Sequence, residues 1–111
     1  MNSIFNPEVP SAQMQRALNA AEVVAKLAQL VDWKLIGDGQ DVAIEKTCVF
    51  NNYFETLAFV NAVAFVAHTQ NHHPSLMVTY RECTVRYNSH DIQGLSGHDF
   101  ACAAQIDALL A

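Results

Sequence analysis

Cysteine is scarce and scattered. Cys48, Cys83 and Cys102 are odd in number, widely spaced and form no CxxC pair, which argues against a zinc knuckle or a redox dithiol. Basic residues are few as well: six Lys and Arg stand against eleven Asp and Glu, a net charge of −5. Clustered cations that would displace phosphate counterions are therefore missing, and nonspecific nucleic-acid binding is disfavoured. The longest apolar run, Leu57 to Ala67, is interrupted by Asn61 and is about half of the ~20 residues a membrane span needs. Met1 to Pro10 has neither a basic nor an apolar stretch, so no signal peptide is expected there. A reducing cytosol is the expected address.

What is present is a folded chain of 111 residues, 51% hydrophobic and 15% charged, long enough for one domain with a real core. So low a charged fraction suggests that another subunit covers part of the surface. Residues 1–10 carry Asn6-Pro7 and Val9-Pro10 and read as an irregular arm, with a single domain over 11–111. Ser11 is placed to cap a helix running to about Leu30. Met14, Ala17, Leu18, Ala21, Val24 and Ala25 recur at three and four, one buried stripe. Trp33 to Ile36 reads as a short strand, the turn formers Gly37 to Asp41 close a hairpin, and Val42 to Phe50 returns. On that second strand Val42, Ile44, Cys48 and Phe50 share a face, with Lys46 the odd member.

Asn52 and Glu55 have the spacing of a capping box. The helix they open is expected to run to about Gln70 and is apolar on nearly every side from Leu57 to Ala67. Such a helix is buried all round, either centrally in the domain or at a subunit interface. Pro74 ends it and pushes His73 toward an extended conformation. A second hairpin follows, Leu76 to Tyr80 and Cys83 to Ser89, and Ser96 caps a last helix from Gly97 to about Leu110. Phe100, Cys102, Ala103, Ile106, Leu109 and Leu110 supply its packing surface. The order α-β-β-α-β-β-α predicts an α+β fold, a four-stranded antiparallel sheet with three helices packed on one face.

Chemistry concentrates in one stretch. Four of the five histidines lie between His68 and His90, and each can be neutral or charged near neutral pH. Two adjacent histidines before a proline, directly after an apolar helix, are poor core material and good site material. The nitrogen-rich set suits proton transfer, in which a group titrating near the working pH gives or takes a proton.

These residues resemble the pterin-4a-carbinolamine dehydratase family. The resemblance rests on His68 followed after three residues by His72-His73-Pro74, on Tyr80, on Ser89-His90, and on Gly94-Leu95-Ser96 with Asp99. Eighteen residues separate His72 from His90 and nine separate His90 from Asp99, steps similar to the family's. It spans roughly Trp33 to Ile106, and the element order agrees. One departure is His68, where the family commonly has Glu, so a carboxylate that could bond the pterin or orient a histidine is missing.

The resemblance implies dehydration of a 4a-hydroxytetrahydropterin to the quinonoid dihydropterin, recycling the cofactor of aromatic amino acid hydroxylases. It implies no metal, no cofactor, and a homo-oligomer, dimer or tetramer. It implies His72 and His90 as the acid–base pair with His73 assisting, and His68, Asn71, Pro74, Ser89, Asp99 and Trp33 around the substrate. Which histidine is acid and which is base stays open.

Bland readings compete at each position. Asp99 lies three residues after Ser96, where a capping acid belongs. Tyr80 and Trp33 are aromatic types that more often pack than contact a ligand. His98, in the first turn of the last helix, is expected on the surface with no role. A metal reading pairs His68 and His72 at i,i+4, with His73 or His90 as a third ligand; the absence of a Glu beside the pair and of a nearby Cys argues against it. A third reading is an interaction protein that docks through an exposed helical surface, including a hydroxylase or transcription-factor partner; nothing in the sequence selects one.

Overall fold

Alternation in the strands builds the sheet. In a computed structural model, which describes residues 11–111, β1 (Lys34–Ile36), β2 (Ala43–Val49), β3 (Ser75–Val78) and β4 (Glu82–Tyr87) form one antiparallel sheet in the order β1-β2-β4-β3. The arm expected over residues 1–10 lies outside the described residues. Gly37 closes the first hairpin at φ 70°, where a Cβ would stand 2.5 Å from the carbonyl oxygen of Asp41.

The register sets Ile44 opposite Tyr87 and Cys48 opposite Cys83 on the inward face, and Glu45 opposite Arg86 and Thr47 opposite Thr84 on the outward face. Ile44, Cys83, Val85 and Tyr87 are wholly buried. The outward face is wet, with a 2.8 Å bond between the Thr47 and Thr84 hydroxyls and a 3.1 Å Arg86–Glu45 ion pair. Lys46 belongs to the inward set and is not an error of the pattern. Its Nζ lies 2.9 Å from Asp107 Oδ1, the same oxygen that accepts the Trp33 indole N–H at 2.9 Å.

The helices cover the inward face. α3 (Tyr53–Thr69) and α4 (Gly97–Ala108) pack Phe59, Val63, Val66, Phe100 and Ile106 into one core with the sheet. Leu109 and Leu110 lie past the end of α4 and are exposed.

The first helix departs from expectation. It is two helices, α1 (Ala12–Gln15) and α2 (Ala20–Leu27), with Arg16 already extended. Ser11 caps the first as expected. Asn19 opens the second through a capping box with Glu22, each side chain meeting the other's main-chain N–H at 2.9 and 3.0 Å. A short polar side chain that satisfies the start of a new helix competes with continuation of the old one. The break shifts the phase, so Val23 is buried and Val24 is 66% exposed. The segment between them runs beside the loop before α4: Ala17 bridges Ser96, and Leu18 N–H donates to Leu95 C=O at 2.9 Å.

α3 also corrects an expectation. Asn52 caps it, but the Glu55 carboxylate reaches back to Asn51 N–H, one residue before the cap. Its buried residues, Thr56, Phe59, Val63, Val66 and Ala67, form one stripe. Phe54 (82% exposed), Leu57 and Phe65 are on the bare side. Deep central burial is therefore not how the chain solves this helix. The helix is stopped by Asn71 rather than by Pro74. Asn71 takes φ 50°, its N–H bonds His68 C=O, and His72 N–H bonds Ala67 C=O at 3.0 Å, the paired closure of a left-handed C-terminal cap.

Candidate functional site

That cap decides where the histidines go. Turned back by Asn71, the His72 side chain points into the protein with 16% of its surface exposed, and the extended step to Pro74 leaves His73 exposed. His72 Nε2 lies 2.5 Å from Asp99 Oδ1. Its ring meets Tyr87 at 5.1 Å and His98 at 4.7 Å between centroids, the latter pair near-parallel at 20°. Tyr87 also donates its hydroxyl to the His72 carbonyl at 3.3 Å. Burial pushes the Tyr87 phenol far above its usual range, so it stays a neutral donor.

Asp99 has no exposed surface. A buried carboxylate needs donors on both oxygens, and it has them. Oδ1 faces His72, and Oδ2 accepts the Ser89 hydroxyl at 2.7 Å and the Ser96 main-chain N–H at 2.9 Å. The capping position and the place in the site are thus one role. The Ser89 and Ser96 hydroxyls lie 3.0 Å apart, which closes the network. With Nε2 committed to Asp99, Nδ1 is the His72 nitrogen left for proton exchange, and it has no hydrogen-bond partner among the described residues.

A cavity of about 300 Å³ opens on this cluster, lined by Gln15, Asn71, His72, Ser89, Asp91, Ser96 and His98. It draws on α1, the turn after α3, the end of β4 and the first turn of α4. A larger groove of about 550 Å³ lies between α1, α2 and α4 and is lined by Met14, Leu18, Leu30 and Phe100 with the Arg16–Glu22 pair. That pair is already satisfied, and Arg16 holds the Glu22 carboxyl down to about 2. The groove offers no group poised for proton transfer, so the smaller cavity is the candidate.

The expected residues divide. His72, Asn71, Ser89 and Asp99 come together. His90 is exposed at the start of a 3₁₀ turn (His90–Ile92) and sits between two lining residues, Ser89 and Asp91. Pro74 is half-buried and His68 is exposed in the last turn of α3; neither lines the cavity. Trp33 is in the core with its N–H on Asp107. Tyr80 is exposed, stacked on Tyr53 at 6.0 Å, and its carbonyl accepts Thr56 Oγ1. That end of α3 is roughly 20 Å from His72, at 1.5 Å per helical residue.

His98 reverses its expectation: it is 6% exposed, lines the cavity and stacks on His72. No local signal marked it, because the ring it stacks on comes from the turn after α3. The helical i,i+4 pairing supposed for a metal is not formed, since α3 ends at Thr69 and His72 lies beyond the turn. Among the described residues no three His, Cys, Asp or Glu side chains are grouped to hold a metal ion, and no helix is long and apolar enough to cross a membrane.

Residues 16–109 match the family model described as pterin 4 alpha carbinolamine dehydratase. The chain belongs to that family. A protein of Paracidovorax citrulli, provisionally named a pterin-4-alpha-carbinolamine dehydratase, is 57% identical over 101 residues, covering 91% of this chain and 87% of the relative. A similarly named protein of Dechloromonas aromatica is 51% identical over 84 residues, 76% of this chain and 71% of the relative. Among solved structures, a transcriptional coactivator/pterin dehydratase from Brucella melitensis superposes with a TM-score of 0.80 at 22% identity, covering 86% of this chain and all of that one. A pterin dehydratase-like protein identified as a RuBisCO assembly factor in the alpha-carboxysome gives 0.60 at 23% identity, over 70% and 88%. At those identities the two structures speak for the dehydratase fold alone. The family is one of hydro-lyases.

Proposed function

We propose that residues 11–111 act as one domain that dehydrates a 4a-hydroxytetrahydropterin to the quinonoid dihydropterin and water, in recycling of a pterin cofactor in the cytoplasm. The observation that carries this reading is His72, fixed through Nε2 on a buried carboxylate in the wall of a polar cavity of about 300 Å³, room for one small bicyclic ring.

The chemistry asks for two proton movements. The C4a–O bond breaks as the leaving oxygen takes a proton and departs as water. The neighbouring ring nitrogen loses a proton, and its electrons form the new C=N bond. Imidazoles on either side of the ring can do both, with a typical contribution of about 10²–10⁴-fold. His72 and His90, the latter exposed between the lining residues Ser89 and Asp91, are the proposed pair, with exposed His73 guiding the substrate; Asn71 and Ser89 supply polar contacts. Asp99 supports an imidazolium on His72 while it carries a proton.

The test is a spectrophotometric assay of carbinolamine dehydration on purified protein, with His72→Ala and His90→Ala beside it. Turnover indistinguishable from the uncatalysed rate in the unaltered protein ends the proposal.

The oligomer belongs to the same reading. The bare side of α3, with Phe54, Leu57 and Phe65 exposed, is apolar surface that a second copy would cover. Light scattering on Phe54→Asp should show a smaller species than the unaltered protein. That same face favours one alternative, a docking module for another protein. In that case His72→Ala would leave the biological effect intact, whereas an enzyme would lose it.

A further inference from the structure

His98 has three features that do not fit a residue placed by chance. Its ring is buried against His72, 4.7 Å between centroids and 20° from parallel. One ring nitrogen hydrogen-bonds the main chain of Gln70, the last residue before the α3 turn. Its other nitrogen, Nε2, is buried and has no hydrogen-bond partner among the described residues. Since Nε2 is the unpartnered one, the bonded nitrogen is Nδ1, and because the main chain of Gln70 offers it a carbonyl, Nδ1 carries the proton. Nε2 is then a lone pair in a place that water does not reach.

Protonating Nε2 would put a donor and a charge where neither is compensated, beside a second imidazole that can itself be charged. The groups that face the ring are His72 from the turn after α3, the Gln70 carbonyl from α3 and Asp99 from its own helix. Burial first, and His72 second, hold the His98 imidazole below its ordinary value, outweighing the opposing pull of Asp99 and Gln70. A ring kept neutral and tied at one nitrogen makes a wedge rather than a proton carrier.

We propose that His98 is a positioning residue: its ring, stacked on His72 and anchored to the α3 turn, holds the His72 imidazole with Nε2 on Asp99 and Nδ1 toward the cavity. This rests on the reading of His72 as a proton-transfer group. The ring face does the work, and the basicity of His98 does not enter. A small residue at 98 leaves His72 with Tyr87 as its one ring neighbour among the described residues and free to swing. Misplacement of a reacting group by about 1 Å can cost up to roughly a hundredfold in rate.

The experiment compares His98→Ala with His98→Phe, which keeps a flat ring and discards both nitrogens. The expected result is a kcat lowered about ten- to a hundredfold in His98→Ala with KM little changed, and recovery of most of that loss in His98→Phe. Ring nitrogen NMR at about pH 8, above the ordinary histidine range, gives a second readout independent of activity. His72 should show one tautomer, protonated at Nε2, in the unaltered protein and in His98→Phe, and an averaged signal in His98→Ala. The proposal is overturned if His98→Phe loses as much kcat as His98→Ala, which would make the nitrogens the working part. It is equally overturned if His98→Ala keeps both kcat and a single His72 tautomer. Should His98→Ala not fold, His98→Asn, which can keep the Gln70 bond but has no ring, takes its place. An unaltered protein without turnover would defeat the dehydratase reading alone, and the NMR comparison would still decide the wedge.

Discussion

The two histidines proposed to share the chemistry live in opposite settings. His72 is held by a carboxylate, by two rings and by the closing bonds of the α3 cap, with 16% of its side chain exposed. His90 is exposed on a one-turn 3₁₀ segment. One ring is organised before any ligand arrives, and the other is left to adjust when one does. The same substitution at the two positions should therefore have different consequences for folding.

The largest effect should come from removing each ring. His72→Ala and His90→Ala should both lower turnover by about 10²–10⁴-fold, measured as kcat/KM for carbinolamine dehydration. Thermal melts should separate them: His72→Ala strips a partner from buried Asp99 and lowers the melting point, whereas His90→Ala leaves it unaltered. Equal melting shifts would erase the distinction between a held ring and a free one.

Next in size is Asp99→Asn. The amide matches the carboxylate in shape but places a donor where Oδ1 and Oδ2 both accept, from His72, Ser89 and Ser96. A cost of about 1–3 kcal/mol is expected for a buried polar group left without its partner, read from urea unfolding. Stability retained in full would mean the cluster does not hold His72.

Smaller again is the left-handed turn. Asn71→Ala should destabilise by about 1 kcal/mol, because an ordinary side chain resists φ 50°, while Asn71→Gly should match or exceed the native protein in stability. Turnover of Asn71→Gly reports how much the set of the turn, rather than the asparagine side chain, contributes to His72.

The smallest expected effect is on the acid limb of stability. His98 binds protons less readily folded than unfolded, so the unfolded chain takes up more of them as the pH drops below the ordinary histidine value of 6.5. The stability His98 contributes is present above that value and is lost as pH falls from it toward the folded-state value. Melting points followed downward from neutral pH should therefore fall less steeply in His98→Phe than in the unaltered protein.

Much of this was legible without coordinates. Alternation marked the strands, turn formers marked the first hairpin, and Asn52 marked the start of α3, because these signals are local. That His72 and Asp99 belong to one cluster was implied by the family resemblance, and the two do meet. The break at Arg16 to Asn19 was also written locally, in the Asn19–Glu22 capping box, but an apolar periodicity of three and four ran across it and hid it. Two features depended on distant partners. Lys46 meets Asp107 across 61 positions, and His98 is buried against His72, which the turn after α3 brings to it. No window of sequence contains either contact.

The strand-like segment at Ala17 and Leu18 fastens the beginning of the described chain to Leu95 and Ser96, and Gln15 stands in the cavity wall. The back of the site is thus supplied by residues some eighty positions upstream of the acid they help to enclose. A truncation that begins at the α2 cap would leave sheet, histidines and Asp99 in the chain, yet open the chamber from behind and let water reach the buried carboxylate.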